Sequence, residues 1–128
     1  MKSTLGALLV GFLLTSGVAP AIAHHSFSVE YDVDKPIKLS GLVTKLEWTN
    51  PHARLYVDVA NPDGSNTNWN LEMASPNILE RNGWTRRAVK AGDKVTFEGF
   101  AGRAAANRGI ANSVSMADGR ALFAGAEK

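Results

Sequence analysis

Cysteine is absent from the 128 residues of the chain. That absence excludes disulfides, thiolate metal sites and lipid attachment through an N-terminal cysteine. An oxidising compartment is compatible with such a chain but not required by it. Charge of either sign is also not in excess, with 14 basic residues against 12 acidic ones. The sequence pI of about 9.1 comes from that small difference and few groups titrating near neutrality. Bulk charge therefore does not favour nucleic acid or an anionic membrane surface as a partner. Histidine occurs only three times, as His24, His25 and His52. There is no serine-histidine-acid spacing, no phosphate-cradling glycine motif and no long helix for a paired-histidine metalloenzyme motif, which disfavours most hydrolases and nucleotide enzymes.

The N-terminus is present in three parts. Lys2 supplies a positive charge, "LGALLVGFLL" an apolar core, and "APAIA" small residues where a signal peptidase reads. This is the layout of a secretory signal. The core is shorter than the roughly 20 apolar residues that a membrane span needs. Residues 1–23 are expected to be a signal peptide cleaved after Ala23, cleavage after Ala21 being the alternative. A single domain over 24–128 is then expected in the periplasm or outside the cell, with no membrane anchor after cleavage. Loss of Lys2 leaves this mature chain one charge above neutral.

Along the mature chain the apolar period is mostly two, the mark of half-buried strands. Phe27, Val29 and Tyr31 alternate with polar residues before "DVDKP", which reads as a turn. In "IKLSGLVTKLEW" the apolar phase passes from Ile37 and Leu39 to Leu42, Leu46 and Trp48, and Gly41 at that shift suggests a bulge or bend in one long strand. "ARLYVDV" and "NWNLEM" alternate cleanly on either side of the turn "NPDGSN".

"SPNILERNGW" breaks the pattern. Ser75 suits an N-cap, Pro76 the first helical position, and Gly83 a left-handed stop, which predicts one short helix over about 76–82 with Ile78 and Leu79 inward. Two more strands follow, carrying Val95 and Phe97, then Ile110, Val114 and Met116, and "ADGR" turns into a brief terminal "ALF". The expected fold is mainly β: a small OB-like antiparallel β-barrel with one short helix between strands 3 and 4. An immunoglobulin-like sandwich is the alternative, but it has no use for the helix and usually about seven strands.

Taken together, "AHHSF" at 23–27, "WTNPH" at 48–52, "WNLE" at 69–72, "SP" at 75–76, "GW" at 83–84, "GDKV" at 92–95 and "DGR" at 118–120 resemble a family of small exported bacterial proteins of unknown function. The resemblance implies export and a small β-rich domain, and carries no activity over to this chain.

Function must be sought in the residues themselves. If "FSVEY" and the segment after "DVDKP" form a hairpin, residues near His24 lie beside residues 44–46, because strands advance about 3.3 Å per residue. All three histidines then gather at one barrel end. A free α-amine and the first imidazole form a chelate ring, and His52 adds a third nitrogen, a set that Cu(II) prefers. Cleavage after Ala21 leaves His24 third, which also chelates Cu(II). Zinc would require a carboxylate such as Glu47 or Glu30. The plain alternative is a frayed polar terminus with His52 bonding a backbone group at its turn.

Trp48, Arg103 and Arg108 form a weaker candidate set, since aromatics and loop arginines on OB-type faces stack and grip ligands. Trp69 and Trp84 read as core, and Glu72 as facing solvent or pairing with a basic residue on a neighbouring strand. The expected function is an exported binding or accessory module, its partner an unidentified periplasmic protein or small ligand, with copper as the possible cofactor. A copper-dependent redox enzyme at the N-terminal histidines and a sugar- or oligomer-binding barrel face are the alternatives.

Overall fold

A computed structural model of the chain describes residues 27–125. In chain order the elements are α1 (Phe27–Glu30), β1 (Tyr31–Glu47), β2 (Arg54–Ala60), β3 (Asn66–Glu72), α2 (Pro76–Arg81), β4 (Lys94–Gly102), β5 (Arg108–Met116) and β6 (Ala121–Phe123). Strand neighbours run β3-β2-β1-β4-β5-β6, and β3 pairs with β5 as well. That last pairing is parallel, Asn70 opposite Arg108 and Glu72 opposite Ile110, while the others are antiparallel. The first five strands thus close into a ring with α2 between β3 and β4, the mainly β, OB-like arrangement expected from the strand order. β6 extends β5 as the terminal hairpin. Among the described residues no helix is long and apolar enough to cross a membrane.

The interior is filled by the alternating apolar positions. Leu55, Val57, Leu71, Val95, Phe97 and Val114 are fully buried, with Ala53 and Met73 continuing the same faces beyond their strands. Each large side chain so enclosed contributes about 1.5–3 kcal/mol. Trp69 packs partly into this core, its ring 6.0 Å from that of Phe97. Trp84 is 1% exposed, and its indole N–H donates to the Phe123 carbonyl at 3.0 Å, so the residue after α2 ties the helix end to β6.

α2 forms where its signals stand. Ser75 is its N-cap by backbone conformation, without a side-chain capping bond, and Pro76 opens the helix. Leu79 is fully buried, Ile78 partly so. Gly83 takes φ +91°, the left-handed stop.

Four local expectations are overturned. Phe27–Glu30 is a helical turn, not a strand. Phe27 has moved onto the outside of the barrel, 5.4 Å from the Tyr31 ring and 5.9 Å from Phe100. The "DVDKP" stretch is no chain reversal: it lies within β1, which takes up the extra residues as a register shift against β4 between Asp32 and Pro36. Tyr31 and Asp32 consequently pair with Gly102 and Ala101, and the hairpin that would set the N-terminal segment beside residues 44–46 does not form.

Third, the phase shift in β1 falls two residues after Gly41. Ile37, Leu39 and Val43 share the inward face, Leu42 is 52% exposed, and the bulge between Val43 and Lys45 hands the inward side to Leu46 and Trp48. Gly41 marks instead the handover of the strand from β4 to β2, where a Cβ would stand 2.1 Å from the Asp58 carbonyl oxygen. Fourth, Ile110 is out of phase with Val114, because Glu98 pairs with Ser113 and Gly99 with Ala111, leaving Asn112 as an extra residue in β5.

Candidate functional site

His52 stands in the connection from β1 to β2. The residue that follows it is clipped to the end of β3 through both its backbone groups: Ala53 N–H donates to the Ala74 carbonyl at 3.1 Å, and Met73 N–H donates to the Ala53 carbonyl at 2.9 Å. The imidazole bonds the Met73 carbonyl through Nδ1 at 3.1 Å. A carbonyl oxygen only accepts, so Nδ1 carries the hydrogen and the neutral ring keeps its lone pair on Nε2. Nε2 has no partner among the described residues, and the side chain is 46% exposed. The backbone bond of the plain reading is therefore present, and it leaves a nitrogen ready to ligate.

Glu72 links this turn to the start of β1. Its Oε1 lies 3.7 Å from His52 Nδ1, and its Oε2 accepts from Arg54 at 3.1 Å. Arg54 faces Glu72 directly across the β2-β3 ladder and also donates to the Asn70 side chain at 3.1 Å. The third partner is the Tyr31 hydroxyl, which donates to the Glu72 carboxylate. Burial of Tyr31, then the Glu72 charge and this hydrogen bond, hold the phenol well above the usual tyrosine range. A line of contacts thus runs from His52 through Glu72 to Tyr31, and α1 directly precedes Tyr31.

Arg103 fastens that N-terminal turn. Its Nε donates to the Ser28 carbonyl at 3.0 Å, its Nη2 to Asp32 at 3.2 Å, and its backbone N–H to the Glu30 carbonyl at 2.9 Å. Between α1, the 102–108 loop and the outer face of β2 and β3 lies a cleft of about 380 Å³. Tyr31, Arg54, Glu72, Gly102, Arg103 and Arg108 are among its walls. Two loop arginines singled out in the sequence therefore do meet at one cleft. Trp48 does not line it and is half-buried against the core.

His24 and His25 lie outside the described residues. Among the described residues no group of three or more histidine, aspartate or glutamate side chains is arranged to hold a metal ion. Glu47, one carboxylate considered for zinc, is bonded to Lys45 and receives the Tyr56 hydroxyl at 3.2 Å. Glu30, the other, lies on the cleft wall.

A family profile matches residues 12–112, most of the chain. The chain belongs to the family of unknown function DUF6152. Neither curated proteins nor solved structures offer a match to it. The polar centre of this DUF6152 chain was only partly visible in sequence. Glu72 pairs with a basic residue of a neighbouring strand, as one of its two expected roles had it, but Arg54 and Tyr31 went unnoticed. The signal for Arg54 was its phase, outward between the buried positions Ala53 and Leu55 and facing Glu72 in the ladder.

Proposed function

We propose that this protein is an exported binding module that holds Cu(II) where its mature N-terminus meets His52. The observation that carries the reading is the bond from His52 Nδ1–H to the Met73 carbonyl. Metal-binding histidines typically donate their second ring nitrogen in this way to a carbonyl or carboxylate, which fixes the tautomer and aims the other nitrogen at the metal. Glu72 stands beside the same Nδ1, a second acceptor that favours the hydrogen on that nitrogen.

The partners of Nε2 come from the processed terminus. Cleavage after Ala23 frees the α-amine of His24, which with its own imidazole Nδ1 forms a six-membered chelate of the kind Cu(II) accepts, and His52 completes a three-nitrogen set. The contacts from His52 through Glu72 to Tyr31, with the Phe27 ring tilted against Tyr31, support a common location for the two motifs. They replace the hairpin as the reason for it. His25 is an alternative imidazole at the same terminus.

Calorimetric titration with Cu(II) tests the reading on protein processed in the periplasm and on protein extended at its N-terminus by four histidine-free residues, which separate the α-amine from both histidines. Binding at one equivalent, weakened at least tenfold by the extension and by His52→Ala, is expected. Equal affinity in all three forms would remove the proposal.

A further inference from the structure

We propose that the cleft between α1, the 102–108 loop and the outer face of β3 is a second site, which binds a small zwitterion of the amino-acid or short-peptide class. The cleft, about 380 Å³, falls within the range of small-molecule sites, roughly 300–1,000 Å³. Its floor is already neutral, since Glu72 is matched by Arg54 and receives the Tyr31 hydroxyl, and Arg103 is matched by Asp32. Two wall residues are left over. Arg108 makes no ion pair and no side-chain hydrogen bond among the described residues, and neither does the carboxylate of Glu30.

Two exposed cations beside another concave surface are already paired. Lys90 is paired with Asp93 at 2.9 Å and Arg120 with Asp118 at 2.7 Å. The cleft thus presents one guanidinium and one carboxylate without mates. A carboxylate suits the planar fork of Arg108, which offers two parallel donors. An ammonium suits Glu30. A ligand carrying both charges satisfies each of them, whereas a simple anion meets the Glu30 charge as repulsion and a simple cation meets Arg108.

The framework holds these groups in place. Arg108 begins β5 opposite Asn70, and the Asn70 N–H donates to the neighbouring Asn107 carbonyl at 2.9 Å. Glu30 is held through its carbonyl by the Arg103 N–H. Gly102 and Ala104, both small, leave room for the ligand's body.

Amide NMR titration of the metal-stripped protein tests the site, with glycine, β-alanine and γ-aminobutyrate as probes and with acetate and methylammonium at matched ionic strength as single-charge controls. The expected result is saturable shifts at Glu30, Gly102 and Arg108 from at least one of the amino acids, with the single-charge probes about tenfold weaker or worse. Arg108→Ala and Glu30→Gln are each expected to weaken the amino acid about tenfold, and Arg120→Ala to leave it unchanged. His52→Ala is also expected to leave it unchanged, which separates this site from the copper site. Equal response to acetate, shifts spread over Arg86 and Arg87, or no response to any amino acid would overturn the proposal.

Discussion

His52 and Met73 are joined across the base of the barrel by a hydrogen bond of 3.1 Å from imidazole Nδ1 to carbonyl oxygen. Because the acceptor cannot donate, this contact sets the tautomer of the ring. Nitrogen-15 shifts of the His52 ring in the metal-free protein, at a pH well above the histidine range near 6.5, are expected to show hydrogen on Nδ1 and a bare Nε2. The opposite tautomer would mean that Nε2 is not the metal-facing nitrogen.

Tyr31 gives a pH dependence with a definite sign. Its phenol is raised in the folded protein, first by burial and then by Glu72, so between the unfolded value near 10 and the higher folded value the unfolded chain has already lost a proton that the native state keeps. The stability this group contributes is complete below about pH 10 and declines as pH rises beyond it. Tyr31→Phe is expected to flatten that decline in urea unfolding and to cost about 1–2 kcal/mol near neutrality through the lost bond to Glu72.

Gly41 faces a carbonyl that leaves no space for a side chain, with Asp58 O at 2.1 Å from an added Cβ. Gly41→Ala must push β1 and β2 apart where the strand changes partners, so a loss of about 2–3 kcal/mol is expected from denaturant midpoints. Gly64, open to solvent in the β2-β3 turn, has nothing near an added Cβ, and its replacement strains only the backbone.

Arg103 is the fastening of the N-terminal turn. Arg103→Ala removes its bonds to Ser28 and Asp32 while the ladder between β1 and β4 remains. Hydrogen exchange of the Tyr31 and Asp32 amides is expected to quicken by about tenfold, with the amides of Val57 and Phe97 unchanged. Under the copper reading the same variant weakens Cu(II) binding, because the terminal ligands lose their fixed starting point.

Much of the architecture was legible from period and punctuation. Leu55, Val57 and Val59 alternate without a break, and Pro76 and Gly83 bracket a helix that has no competing signal. β1 was harder because its apolar pattern records a change of phase without fixing where it falls, and leaves the irregularity between Asp32 and Pro36 unmarked. The bulge after Val43 is set by pairing with β2, and the extra residues of "DVDKP" are absorbed against β4, so both depend on strands distant in sequence. α1 escaped notice for a related reason. Phe27, Val29 and Tyr31 have the spacing of a strand, but Phe27 finds its apolar partners, Tyr31 and Phe100, on the outside of the barrel. In the site, His52, Arg103 and Arg108 were identifiable by residue type alone. Tyr31, Arg54 and Glu72 acquire their importance from a ladder register and from burial, neither of which is local in sequence.

Electron paramagnetic resonance of the periplasmically processed protein loaded with one equivalent of Cu(II) tests the central claim most directly. The account predicts a tetragonal spectrum with hyperfine coupling to three nitrogens, reduced to two in His52→Ala while circular dichroism and the unfolding midpoint stay close to those of the parent. A nitrogen pattern that is the same with and without His52 would contradict it, because His52 and the N-terminal histidines would then share no metal.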